Sequence, residues 1–218
     1  SRTCRFMLTE EAHHMFVGET GVQRVALRSC ELMKQSPNED VRKLGGIDLP
    51  TVQKYLNRWY TVSLDLFGGE DSSNAELYFG TGMKGRANEN RYDEHVCLEG
   101  AYQVIKPGGD GVVEMPIATR RAMNAILRDS YSDDCLRGVE KWNKTIEDAG
   151  IDFRFQLPSK AFNRRVGTCA ELPFDPSGRL LSREEFERRR CEFLPTSEDE
   201  HYVRSLMHPV MEPGKMES

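Results

Sequence analysis

The sequence predicts a mainly helical protein whose last third mixes helix and strand. Three observations carry this expectation. Apolar residues recur at steps of three and four over residues 2–34, 51–67 and 122–146, the spacing that keeps one helix face apolar. The run Lys106-Pro107-Gly108-Gly109-Asp110-Gly111 lies between Tyr102, Val104, Ile105 and Val112, Val113, as a turn lies between strands. Residues 152–157 then alternate apolar and polar, and turn and helix-start chemistry follows.

The elements follow in order. A first helix is expected from about Arg2 to Lys34, its stripe running through Leu8, Glu11, Met15, Gly18, Val22, Val25, Ser29 and Leu32. Gly18 and Gly21 weaken or bend its middle and permit close helix approach. Residues 35–49 read as a connection. Asp48 offers an N-cap, with Pro50 in the first turn of a second helix carrying Val52, Tyr55, Leu56, Trp59, Tyr60, Ser63, Leu66 and Phe67. Gly68 and Gly69 stop it, and its aromatic stripe is read as packing rather than a cofactor box. A short helix is expected over residues 71–79, and a third long helix runs from Ala122 through Ile126, Leu127, Tyr131, Cys135, Val139, Trp142 and Ile146 to near Gly150. Asp152-Phe153-Arg154-Phe155-Gln156-Leu157 is expected to be a strand, and Asp175-Pro176-Ser177-Gly178 a turn. Ser182-Arg183-Glu184-Glu185 reads as a capping box opening a helix to about Arg190. Residues 1–95 then form one helical part of the domain, and residues 96–218 the hairpin, the long helix and a mixed α+β end.

At 218 residues, 38% hydrophobic and 30% charged, the chain has the composition of a soluble globular protein. No apolar run approaches the ~18 residues of a membrane span, and no signal peptide opens the chain, so no membrane is expected and the cytoplasm is the expected location. A net charge of -5 argues against an extended nucleic-acid surface. Cys4, Cys30, Cys97, Cys135, Cys169 and Cys191 are scattered without a Cys-x-x-Cys and read as reduced thiols. Nucleotide loops and nucleophile elbows are absent from the sequence.

The chemistry-bearing pattern is Glu10-Glu11-Ala12-His13-His14. Residues three apart share a helix face, so Glu-x-x-His lets a carboxylate and an imidazole grip one metal ion. Two registers exist, Glu10 with His13 and Glu11 with His14; the stripe favours the second, because Glu11 lies within it and His14 flanks it. A core-facing carboxylate needs a partner or a metal. The alternative is an exposed Glu11–His14 pair on a helix less buried than its pattern suggests, and motif and stripe alone leave both open. A second match, Glu198 with His201, starts a polar helix without a stripe and is read as solvated. His95 is read as a surface histidine, and His208 stands near a ragged end. Lys160, Arg164 and Arg165 with Arg154 form a basic island around Phe162; a phosphate-bearing ligand fits it, and a solvated loop balancing nearby acids fits it better.

The run Arg2-Thr3-Cys4-Arg5-Phe6-Met7-Leu8-Thr9-Glu10-Glu11-Ala12-His13-His14, continued by Phe16-Val17-Gly18-Glu19, resembles the oxygenase components of benzoyl-CoA 2,3-epoxidases. So do Ile47-Asp48-Leu49-Pro50-Thr51-Val52-Gln53-Lys54-Tyr55-Leu56-Asn57, Ser72-Ser73-Asn74-Ala75, Asp152-Phe153-Arg154-Phe155 and Tyr202-Val203-Arg204-Ser205-Leu206-Met207, with the central hairpin least alike. The resemblance implies part of a ferritin-like di-iron bundle over residues 1–95, followed by a mixed α+β C-terminal region. It implies that Glu11 and His14 are the final Glu-x-x-His pair at a centre of two iron ions. The remaining ligands are then expected upstream of Ser1, so that the chain is a C-terminal fragment, inactive in isolation. The implied reaction is epoxidation of benzoyl-CoA at the 2,3 bond with O2 and electrons from a separate NADPH-dependent reductase. Related di-iron acyl-CoA oxygenases or N-oxygenases are the alternative, and a non-enzymatic helical interaction module is a third reading.

Overall fold

The structure, a computed structural model, describes residues 2–72 and 100–207, with side chains from Phe6 onward. Helix α1 (Arg2–Gln35) is followed by α2 (Leu49–Asp65), strands β1 (Ala101–Gly108) and β2 (Gly111–Ala118), a 3-10 turn (Thr119–Arg121), and α3 (Met123–Asp148). Helices α4 (Arg183–Phe193) and α5 (Ser197–Ser205) close the described chain. The described residues are thus mainly helical with one two-stranded sheet. No described helix is long and apolar enough to cross a membrane. His95, His208 and most of the short helix expected over residues 71–79 lie outside the described residues.

The α1 stripe is buried only in its second half. Ser29 and Leu32 are inside, with Ala26 and Cys30 beside them, whereas Leu8 and Met15 are exposed. The expectation that Glu11 faces a core is therefore corrected: from Phe6 to Gly18 every side chain is exposed, because no described element packs on that part of α1. Beyond it, α1 lies along α3, where Trp142 Nε1 donates to Glu19 O at 3.0 Å and Gln23 Nε2 to Thr145 Oγ1 at 3.0 Å.

Helix α2 starts as its sequence requires. Asp48 caps it by accepting from Thr51 N at 2.9 Å, and Pro50 fills a first-turn position where a missing N–H costs nothing. Its buried face is rotated from the expected aromatic stripe. Tyr60 is inside, but Trp59 is 60% and Leu66 85% exposed, while Asn57, Thr61 and Leu64 are buried in their place. The polar members are satisfied: Asn57 Nδ2 donates to Phe193 O at 3.0 Å and Thr61 Oγ1 to Asn57 O at 2.9 Å.

The hairpin forms, with a tighter turn than expected. β1 and β2 pair antiparallel from Ala101↔Ala118 to Gly108↔Gly111, leaving only Gly109 and Asp110 between them, so Lys106, Pro107, Gly108 and Gly111, expected in the turn, belong to the strands. The expected strand over residues 152–157 pairs with no other strand. Its backbone groups go to side-chain amides instead, which stand where strand neighbours would. Asn143 Nδ2 donates to Phe155 O at 2.9 Å and Phe155 N to Asn143 Oδ1 at 2.7 Å, while Gln53 makes the same two-way contact with Gln156 N and O. Phe155 thereby enters the main core with Ala26, Cys30, Leu49, Val139 and Ile146.

Near the C-terminus, Gly178 N closes the expected turn onto Asp175 O at 2.9 Å. Ser182 caps α4 by accepting from Glu185 N at 3.0 Å, but the Glu185 side chain turns to Arg179 and Arg189 rather than completing a capping box. The complete box belongs to α5, between Thr196 and Asp199. Among the described cysteines, Cys30, Cys135, Cys169 and Cys191 are free.

Candidate metal-ligand pair and the groove beside it

Glu11 and His14 sit one turn apart on α1, Glu11 Oε2 4.0 Å from His14 Nδ1, with side chains 71% and 64% exposed. Two donors each about 2.1 Å from a shared ion are at most about 4.2 Å apart, so this pair can hold one ion with little adjustment. The donor chemistry also suits iron, which takes imidazole and carboxylate together. The pair alone does not complete a site. Among the described residues no group of three or more His, Cys, Asp or Glu side chains is placed to hold a metal. The exposure matches the alternative weighed from the sequence, a surface pair, as far as the described residues go. Glu198 and His201 are exposed on α5, as expected.

The basic island is not a ligand surface. Phe162 is fully buried against Leu181, Phe193 and Leu194, so its ring cannot stack on a base, and Lys160 pairs with Asp129 at 2.7 Å. Arg164 is buried: its Nε meets Asp65 Oδ1 at 2.6 Å, and its Nη1 donates to Lys160 O at 3.1 Å. It belongs to a knot missed from the sequence. Arg128 Nη1 meets Glu70 Oε1 at 2.8 Å, Thr168 N donates to Glu70 Oε2 at 2.8 Å, and Arg164 Nη1 lies 3.9 Å from Glu70 Oε1. Burial pushes the Glu70 carboxyl up, but the Thr168 N–H and Arg128 more than offset it and hold it below its ordinary value. The knot ties the end of α2 to α3 and to the loop at residues 160–168. Its only sequence signal is the charged residues themselves, whose pairing spans 58 positions between Glu70 and Arg128.

One helical turn along α1 from Glu11, a groove of about 570 Å³ opens between α1, α2 and α3. Trp59, Tyr60, Tyr131, Trp142, Leu56 and Cys135 contribute to its walls, and Met15, Gly18 and Val22 continue the Glu11 stripe along its α1 side. Tyr60 Oη reaches Ser132 Oγ at 2.9 Å across the groove floor. Burial pushes Tyr131 up to about 12 and raises the Tyr60 hydroxyl and the Cys135 thiol as well. These hydroxyls and the thiol are therefore neutral at pH 7, and the two carboxylates in the lining, Glu19 and Asp134, pair with Lys141 at 2.9 Å and with Arg137. A second apolar groove, of about 360 Å³, lies on the other side of α1 beside Gly18, Gly21 and Tyr55.

No protein-family model matches the chain. Among curated proteins it is similar to benzoyl-CoA oxygenase component B from Aromatoleum evansii, with 46% identity over 219 residues. The match takes in 99% of this chain and 46% of the relative, so the chain spans about half the length of the curated relative it matches.

Proposed function

We propose, from the likeness to benzoyl-CoA oxygenase component B along the half that the two share, that the chain is part of the oxygenase component of a benzoyl-CoA 2,3-epoxidase. The observation that carries this reading is 46% identity sustained over 99% of the chain, a span that includes the Glu-x-x-His helix. In this reading Glu11 and His14 are two ligands of a di-iron centre, and the other ligands come from outside the described residues. A ferritin-like bundle, an NADPH-dependent reductase as electron source and a cytoplasmic location complete the proposal.

The chain's own residues have definite tasks in it. The i, i+3 spacing points the Glu11 carboxylate and the His14 imidazole to one side of α1, and helix continuity into the α1–α3 contact at Glu19, Gln23 and Trp142 fixes where that side faces. When bound between such ligands, iron supplies redox chemistry with O2 that Zn²⁺ cannot.

The test is iron content and reductase-coupled oxygenation of benzoyl-CoA by the complete gene product. Two irons per chain with NADPH-dependent epoxide formation are expected, and Glu11→Ala or His14→Ala should remove the iron. Two irons retained in both variants would refute the ligand assignment; turnover of phenylacetyl-CoA but not benzoyl-CoA would move the substrate to a related acyl-CoA oxygenase. A second reading, a non-enzymatic helical interaction module, draws on the exposure of α1 from Phe6 to Gly18 and requires that Glu11→Ala change neither iron content nor stability.

A further inference from the structure

We draw no further inference here: the strongest candidate, the second apolar groove of about 360 Å³ between Val17, Val22 and Val25 of α1, Val52 and Tyr55 of α2 and Val203 of α5, is an unpartnered apolar face, and nothing in the structure shows what covers it.

Discussion

Replacing Glu70 by alanine should be among the most damaging single changes in the described chain. Glu70 and Arg128 are each 1% exposed, and the carboxylate also takes the Thr168 N–H at 2.8 Å. The change strands the Arg128 guanidinium, whose Nε already has no partner, and leaves Arg164 beside it with an unpartnered Nη2. Removing one member of a buried pair costs about 3–5 kcal/mol. At about 2–4 °C per kcal/mol for a chain of this size, the midpoint should fall by about 6–20 °C. The double variant Glu70→Leu with Arg128→Met removes both charges and should recover much of the loss, since an apolar pair of similar volume is often neutral. Thermal and denaturant unfolding of wild type, both single variants and the double variant measure this directly.

The same pair sets a pH dependence of definite sign. The folded carboxyl is held below its ordinary value of 4.5, so its contribution is complete above about that pH and is lost as pH falls through the lower folded value. Wild type should therefore lose stability on acidification below about pH 4.5 more steeply than the Glu70→Leu, Arg128→Met variant. Additive losses in the double variant, or an unchanged acid limb, would show that the knot contributes through packing and not through charge pairing.

Two further outcomes follow from neighbouring geometry. Gly167 has φ +94, and a Cβ there would collide with both Glu70 carboxylate oxygens; Gly167→Ala should cost more than the about 1–3 kcal/mol of a strained backbone alone, and a midpoint within 1 kcal/mol of wild type by denaturant unfolding would contradict the packing described. Asp199 completes the α5 capping box by accepting from Thr196 N at 2.9 Å, and also pairs with Arg42 and with Lys54 at 3.2 Å; burial pushes its carboxyl up, but the Thr196 N–H, Arg42 and Lys54 together hold it well below the carboxylate range. Asp199→Ala leaves Thr196 as the N-cap and should cost about 1.5–3 kcal/mol for the charged hydrogen bonds, with the wild-type contribution complete above about pH 4 and fading below it; hydrogen exchange in α5 as slow as in wild type would count against that coupling.

Helix positions were legible because period and cap chemistry are local. The stripe of α1, Asp48 with Pro50 and the glycines after α2 needed no knowledge of the rest of the chain. What each face packs against was not legible. Trp59 reads as core by spacing, yet it stands in the groove wall, because α2 turns Asn57 and Thr61 inward to reach the Phe193 carbonyl and the helix's own backbone. Residues 152–157 alternate as a strand does, and Phe155 is buried between exposed Arg154 and Gln156, but the partners are the amides of Asn143 and Gln53. Alternation reports an extended segment with one side buried and is silent on what supplies the hydrogen bonds. The Glu-x-x-His motif was legible as chemistry, whereas its burial depends on surfaces beyond the described residues.

The groove and the charged knot are two consequences of how α2 and α3 are joined. The two helices run antiparallel, and side chains hold them together. Asn124 Nδ2 donates to Gly69 O at 3.1 Å, Arg128 meets Glu70, and Tyr60 meets Ser132. These links are all near the start of α3. Beyond Ser132, α3 continues through Cys135, Gly138 and Trp142 toward its own contact with α1 at Glu19, with no further link to α2 among the hydrogen bonds described. The two helices are joined by polar struts at one end and share the main core, through Leu49 with Val139 and Ile146, at the other, and the groove opens between these regions. The lining of that space is mostly apolar, with Trp59, Tyr60, Tyr131 and Trp142 among its walls. The buried Glu70–Arg128 pair stands outside the groove wall, and the carboxylates that do line the groove, Glu19 and Asp134, are paired with Lys141 and Arg137. Keeping the Glu70–Arg128 pair out of that wall is how a chain with so much buried polarity still presents a mostly apolar cleft one turn along α1 from Glu11.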